Sequence, residues 1–225
     1  MQYNHYLLDA DETLYDFPLA QERAVTRALE GIGWPMNAAE VARFDAINAR
    51  LWKLRETGGI TQDELVIRRF TEFLGGDARF SDTAAARAYI EALSQEGPML
   101  PGALDVVKEL KRRGAKIAIV TNGVGKTQRG RFAVSGIGPY VDALVISEEV
   151  GAFKPDPRMI FAALEALGCA DKSHAVMVGD SLSTDMLAAQ RAGIAACWYN
   201  PHRKALPEGL APPDHELHDL AELLA

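Results

Sequence analysis

Four short apolar runs in the second half of the chain constrain its fold more than any other feature. Lys116 to Val120, Ala143 to Ile146, Ala175 to Val178 and Ile194 to Trp198 are rich in small and β-branched residues, with stretches of helical pattern between them. Runs that are apolar on both faces and alternate with helices make a parallel sheet covered on each side. The helices are expected from Ala103 to Arg113, Lys126 to Val134, Pro155 to Leu167 and Thr184 to Ala192, with a last helix from His215 to Leu224. A fifth run, His5 to Leu8, is short and apolar enough to be a further buried strand.

Between Phe17 and Gly97 no strand pattern is convincing. Pro18 suits a first helical turn, Val25, Ala28, Leu29 and Ile32 form one buried stripe, and Gly31, Gly33 and Trp34-Pro35 end that helix. Further helices are expected from Ala39 to Arg55, from Thr61 to Leu74 behind a Thr61/Glu64 capping box, and from Ser81 to Leu93. Pro98 to Gly102 then makes a stiff return. The expected organisation is an α/β core of residues 1–16 and 98–225, with residues 17–97 as an inserted all-helical bundle.

Composition excludes several classes of function. The 225 residues are 48% hydrophobic and 24% charged, ordinary for a globular protein. A net charge of -7 offers no broad basic surface for a nucleic-acid polymer. Cys169 and Cys197 are too few for a disulfide framework and lack metal-ligand spacing. Met1 to Tyr6 contains no basic leader region, and no apolar run reaches the roughly 18 residues of a membrane span. The expectation is a cytoplasmic protein with no membrane partner.

In parallel α/β sheets ligands bind beyond the carboxyl ends of the strands. Asp9 and Asp11 follow the first strand, and two carboxylates two positions apart share a face if the extended geometry persists. Thr121-Asn122-Gly123 follows the second, Lys154-Pro155 comes after the third, and Gly179-Asp180-Ser181 follows the fourth, with Asp185 about one turn on. Singly these are turns and caps. Together they deliver an acid pair, a hydroxyl, an amide, a lysine and a further acid to one sheet edge.

That set suits phosphoryl transfer through an aspartyl-phosphate. A carboxylate nucleophile splits one difficult displacement into two easier ones. Attack on a dianionic phosphate needs charge compensation, which Mg²⁺, Lys154, the Thr121 hydroxyl and backbone N–H groups near Asn122 would supply. Magnesium takes hard oxygen ligands, here expected from Asp9, the main-chain carbonyl of Asp11 and Asp180. Asp11 is expected to carry the proton, and Asp185 to orient Lys154 or a metal-bound water.

Asp9-Ala10-Asp11-Glu12-Thr13, Thr121-Asn122, Lys154-Pro155 and Gly179-Asp180 with Asp185 resemble the four motifs of the haloacid dehalogenase-like (HAD) phosphohydrolases, in order and along essentially the whole chain. The resemblance implies a Rossmann-like core with a helical cap after the first strand. It implies Asp9 as nucleophile, Asp11 as acid/base, Thr121 and Lys154 as phosphate ligands, and Asp180 as metal ligand. Most phosphatases of that family carry glycine where this chain has Glu12. That departure, the run Leu144 to Gly151, Cys197 to His202 and Pro207-Glu208-Gly209 are similar to the bacterial pyrimidine 5'-nucleotidase branch.

The expected substrate is a small phosphate monoester, a nucleoside monophosphate, taken by a monomer or homodimer. In the insert, Asn48 and Arg55 interrupt the apolar stripe of Val41, Phe44, Leu51 and Trp52, and Arg69 shares a face with Leu65, Val66 and Phe73. Polar groups there need partners, either within the bundle or in a substrate. Asn48, Trp52, Arg55 and Arg69 are therefore the candidate substrate residues of the insert. The competing readings are a phosphosugar phosphatase or mutase, a 2-haloacid dehalogenase, which has no use for Asp11, and a phosphate-accepting switch domain, which needs no helical insert.

Overall fold

The computed structural model describes residues 3–225, so Met1 and Gln2, where the leader reading begins, lie outside it. Six strands form one parallel sheet: β1 (His5–Leu8), β2 (Lys116–Thr121), β3 (Ala143–Ile146), β4 (Ala175–Gly179), β5 (Ala195–Tyr199) and β6 (His215–Leu217), in the order β3-β2-β1-β4-β5-β6. Both faces are buried. Tyr6 and Leu8 pack into one apolar cluster and Leu7 between them into the other, the alternation that a covered strand requires.

Helices α1 (Phe17–Glu30), α2 (Ala38–Glu56), α3 (Gln62–Leu74) and α4 (Asp82–Ser94) follow β1 in succession and share a separate core. There the rings of Phe44, Phe70, Phe73 and Tyr89 meet at centroid distances of 5.3 to 5.7 Å. Asp16 caps α1, and the Thr61/Glu64 capping box opens α3 as its spacing predicts. The chain returns through α5 (Ala103–Arg112) and then alternates with the sheet: α6 (Gly125–Val134), α7 (Ser147–Val150), α8 (Arg158–Ala166) and α9 (Leu187–Ala192). No helix among the described residues is long and apolar enough to cross a membrane.

Two local expectations give way. The segment from His215 to Leu224 is not one helix. His215–Leu217 adds a sixth strand beside β5, and Asp219 then caps a short 3₁₀ turn, Leu220–Leu224. Leu217, Leu220 and Leu223 are all buried in one cluster, so the leucine spacing satisfies a strand and a turn as well as it would a helix. The expected helix from Thr184 to Ala192 begins instead as a π turn, Leu182–Met186, before α9.

β1 lies between β2 and β4, with Leu8 beside Ile119 and Val178. The next residues, Asp9, Val120 and Gly179, therefore emerge together at the carboxyl edge, where the sheet has its switch point.

Candidate active site

Asp9 is fixed first by its backbone, whose N–H donates to the Val178 carbonyl at 2.9 Å. Its Oδ1 accepts from Lys154 Nζ at 2.5 Å. The same ammonium donates to the Val120 carbonyl at 2.7 Å and pairs with Asp185 Oδ1 at 2.7 Å. Lys154 is 2% exposed and thus fully spoken for by three oxygens. Burial pulls its pKa down, but Asp185 and Asp9 outweigh burial and the net direction is up, so it stays a cation.

Asn122 acts on the lysine's backbone. Its Oδ1 accepts from the Lys154 N–H at 2.8 Å and its Nδ2 donates to the Lys154 carbonyl at 3.0 Å, a two-way clamp joining the second and third strand ends. Thr121 Oγ1 accepts from the Gly123 N–H at 3.1 Å, which leaves the hydroxyl proton for an acceptor in the cavity.

On the other side, Trp198 Nε1 donates to the Asp180 carbonyl at 2.9 Å and anchors that loop. Ser181 N–H donates to Asp185 Oδ2 at 3.2 Å. A Cβ on Gly179 would overlap the Asp185 carboxylate, so glycine is required for that acid to reach Lys154.

One carboxylate oxygen from each of Asp9, Asp180 and Asp185 lies within 4.8 Å of the other two. Burial raises the pKa of Asp9 to about 7, with Lys154 pulling it back and Asp185 pushing it up. Burial, then Asp9 and Asp185, raise that of Asp180 to about 8. Hard oxygens whose charges repel one another fit a small divalent cation, which would relieve that repulsion. The sign of the pH dependence follows. Both acids have folded pKa values above the usual carboxylate range, so the cation-free fold is favoured at pH 4 and loses stability as pH rises through 7 to 8. Protons and cation compete for the same oxygens. Thermal melts with and without Mg²⁺ should show a larger stabilisation at pH 8 than at pH 5.5, and an equal or reversed difference would contradict a cation at Asp9 and Asp180.

Asp11 lines the same cavity, but its carboxylate is held from α6, apart from the acid cluster. Its Oδ1 pairs with Arg131 and its Oδ2 accepts from Gln128 Nε2 at 2.8 Å, both from α6. Its carboxylate is therefore not part of the acid cluster; the sequence reading enlisted only its main-chain carbonyl. Glu12, the next residue, has φ 59°, the left-handed region in which glycine is at ease, and lines the cavity.

The cavity, of about 310 Å³, is lined by Asp9, Asp11, Thr121, Asn122, Lys154 and Asp180 from the sheet edge. Facing them from the helical insert are Phe17, Trp52, Glu56, Arg69, Tyr89, Ile90 and Leu93. Among the insert candidates, Trp52 and Arg69 thus meet the cavity. Asn48 is buried behind it, donating to Gln21 Oε1 at 2.5 Å and accepting from Arg69 Nη1 at 3.1 Å. Arg55 stacks over the Phe153 ring at 4.3 Å and lines a neighbouring cavity. His202, Arg203 and Lys204 are exposed and line neither. Gln128 and Arg131 escaped the sequence reading; their signal was two polar residues three apart on one helix face.

The sequence pattern described as hydrolase, haloacid dehalogenase-like hydrolase, matches residues 3–193. The chain belongs to the haloacid dehalogenase-like hydrolases. Over its full length this HAD hydrolase is 35% identical to the pyrimidine 5'-nucleotidase YjjG of Escherichia coli (strain K12), covering 99% of that protein. It is 33% identical to the pyrimidine 5'-nucleotidase PynA of Streptococcus pneumoniae, again over 100% of this chain and 94% of the relative. A magnesium-bound structure of the HAD-hydrolase YfnB from Bacillus subtilis, described as revealing interdomain movement, superposes with a TM-score of 0.90. It is 31% identical over 99% of this chain and 97% of that one.

Proposed function

We propose that the protein is a Mg²⁺-dependent phosphomonoesterase that hydrolyses nucleoside 5'-monophosphates, pyrimidine ones first, through an aspartyl-phosphate. The observation that carries this reading is the separation of two acids in one cavity: Asp9 is buried against Lys154, while Asp11 is held by Arg131 and Gln128. Two carboxylates in unlike surroundings suit a nucleophile and a proton carrier. The names of the two nucleotidase relatives support the substrate class.

In the first step an Asp9 oxygen attacks phosphorus, the ester P–O bond breaks, and the Asp11 proton passes to the leaving oxygen. In the second, water attacks the same phosphorus, Asp11 takes its proton, and the Asp9–phosphorus bond breaks to release phosphate. The charge of Lys154 offsets that of the phosphoryl group, whose oxygens the Thr121 hydroxyl and backbone N–H groups near Asn122 hold. Asp9, Asp180 and the main-chain carbonyl of Asp11 would hold Mg²⁺, with Asp185 aligning Lys154; the cation would supply further charge compensation. A dehalogenase would leave Asp11 without a task, and a switch domain would leave the insert without one.

Arg69 gives the insert a substrate role. It is 2% exposed, has no carboxylate partner among the described residues, and lies 4.8 Å over the Tyr89 ring. Burial lowers its pKa, the mark of a cation lacking an anion. A carbonyl oxygen of a nucleobase, packed on Trp52, would complete it. A panel of nucleoside monophosphates and sugar phosphates with Mg²⁺, with and without EDTA, tests the class, and sugar phosphates ranking first by kcat/KM would refute it. Trp52→Ala and Arg69→Ala are each expected to lower the nucleotide to p-nitrophenyl phosphate ratio of kcat/KM about tenfold. An unchanged ratio would remove the insert from recognition.

A further inference from the structure

Arg131 is a fully buried guanidinium at 0% exposure whose carboxylate partner sits at the edge of the catalytic cavity. Its Nη1 donates to Asp11 Oδ1, and its Nε donates to the Glu96 carbonyl at 3.1 Å. Its Nη2 has no partner among the described residues. Its Cζ lies over the rings of Tyr15 and Phe17, 4.6 and 5.6 Å from their centroids. Held by an ion pair, a carbonyl and two rings, the guanidinium has one orientation.

Gln128, one turn earlier on α6 and 3% exposed, donates to the other Asp11 oxygen. Its position explains the glycine of Thr121-Asn122-Gly123, because a Cβ on Gly123 would overlap the Gln128 amide. Each oxygen of Asp11 therefore accepts one fixed donor and keeps a lone pair for the cavity. A buried ion pair maintained only for stability is commonly no better than an apolar packing, and one kept for stability would not leave Nη2 orphaned.

We infer that Arg131, with Gln128, is the positioning residue that aims the Asp11 carboxylate at the ester oxygen. The inference rests on the reading of Asp11 as proton carrier. A proton moves well only when donor and acceptor are held at hydrogen-bond distance, and misplacement of such a group by about 1 Å costs on the order of 100-fold. The cost depends on the ester. A nucleoside 5'-oxygen leaves poorly without a proton, whereas p-nitrophenolate leaves readily as an anion.

The test measures formation of the acid-stable phosphoenzyme signal and free alcohol in single turnovers with a nucleoside 5'-monophosphate and with p-nitrophenyl phosphate, plus steady-state kcat and KM. Arg131→Met and Gln128→Met are expected to slow the first step for the nucleotide at least tenfold more than for p-nitrophenyl phosphate. The ester concentration that half-saturates the first step in single turnovers should stay within about threefold of its wild-type value, and Arg131→Lys should recover much of the loss. Equal slowing of both esters in the first step, or a change confined to that half-saturating concentration, would overturn the inference. If Arg131→Met does not fold, Gln128→Met decides by the same criterion. Asp11→Asn separates this idea from the one beneath it: absence of ester discrimination there removes the proton-carrier role itself. Discrimination in Asp11→Asn with none in the α6 variants removes only the positioning role.

Discussion

Replacing Asp9 by Asn is expected to abolish turnover, by roughly 10⁴-fold or more, while the protein stays folded. The amide keeps the shape of the side chain and an oxygen to accept from Lys154, but it cannot form the acyl-phosphate bond on which both steps depend. The structural consequence has the opposite sign. Burial holds Asp9 at a pKa of about 7, so at pH 8 the native protein carries a buried negative charge that repels Asp185 and Asp180. Asn removes that repulsion, and Lys154 retains Asp185 as its counter-ion at 2.7 Å. The Tm in EDTA at pH 8 should therefore be no lower than that of the wild type, and the rise on adding Mg²⁺ should shrink. Residual activity within tenfold of wild type would refute the nucleophile, and a large fall in Tm would show that the loss of activity was one of folding.

The part of this site that is readable in the sequence is the part set by strand ends. Asp9, Thr121 and Asp180 stand at the ends of apolar runs, Lys154 follows the third run after one short helix, and a parallel sheet has one edge at which such residues can meet. The same logic placed the helical insert, because no segment between Phe17 and Gly97 has a strand's pattern. What escaped was tertiary. Arg131 reaches Asp11 across 120 positions from a helix whose sequence has no apolar stripe to orient it. Asn48 stood out as a polar residue in an apolar face, yet nothing local distinguishes Gln21 and Arg69, its actual partners, from a substrate. Arg55 lies a few positions away on the same helix and faces Phe153 instead, a difference decided by how the insert docks on the core. At the carboxyl end the leucine spacing favoured a helix, and the edge of the sheet beside β5 captured His215 to Leu217 first. Glu12 is a mixed case: its departure from glycine is visible in sequence, but only the backbone shows that it occupies a left-handed position.

Lys154→Met should be the most damaging single change to both stability and activity. It deletes the one cation that, among the described residues, pairs with two carboxylates, Asp9 and Asp185, that are 8% and 1% exposed, and it strips the Val120 carbonyl of its donor. Breaking a buried pair from one side costs about 3–5 kcal/mol, because the stranded charge must be neutralised or hydrated. For a chain of this length that corresponds to a Tm lower by roughly 6–20 °C. The pair predicts its own suppressor. In Lys154→Met/Asp185→Asn one stranded charge is gone and Asp9 can take a proton, so much of the lost Tm should return. Activity should not return, since no ammonium then faces the phosphoryl oxygens beside Thr121. Single and double variants, melted in EDTA at pH 8 and assayed with Mg²⁺, separate the two roles. Recovery of stability without turnover would assign Lys154 both, and recovery of turnover in the double variant would show that the lysine serves only to neutralise its neighbours.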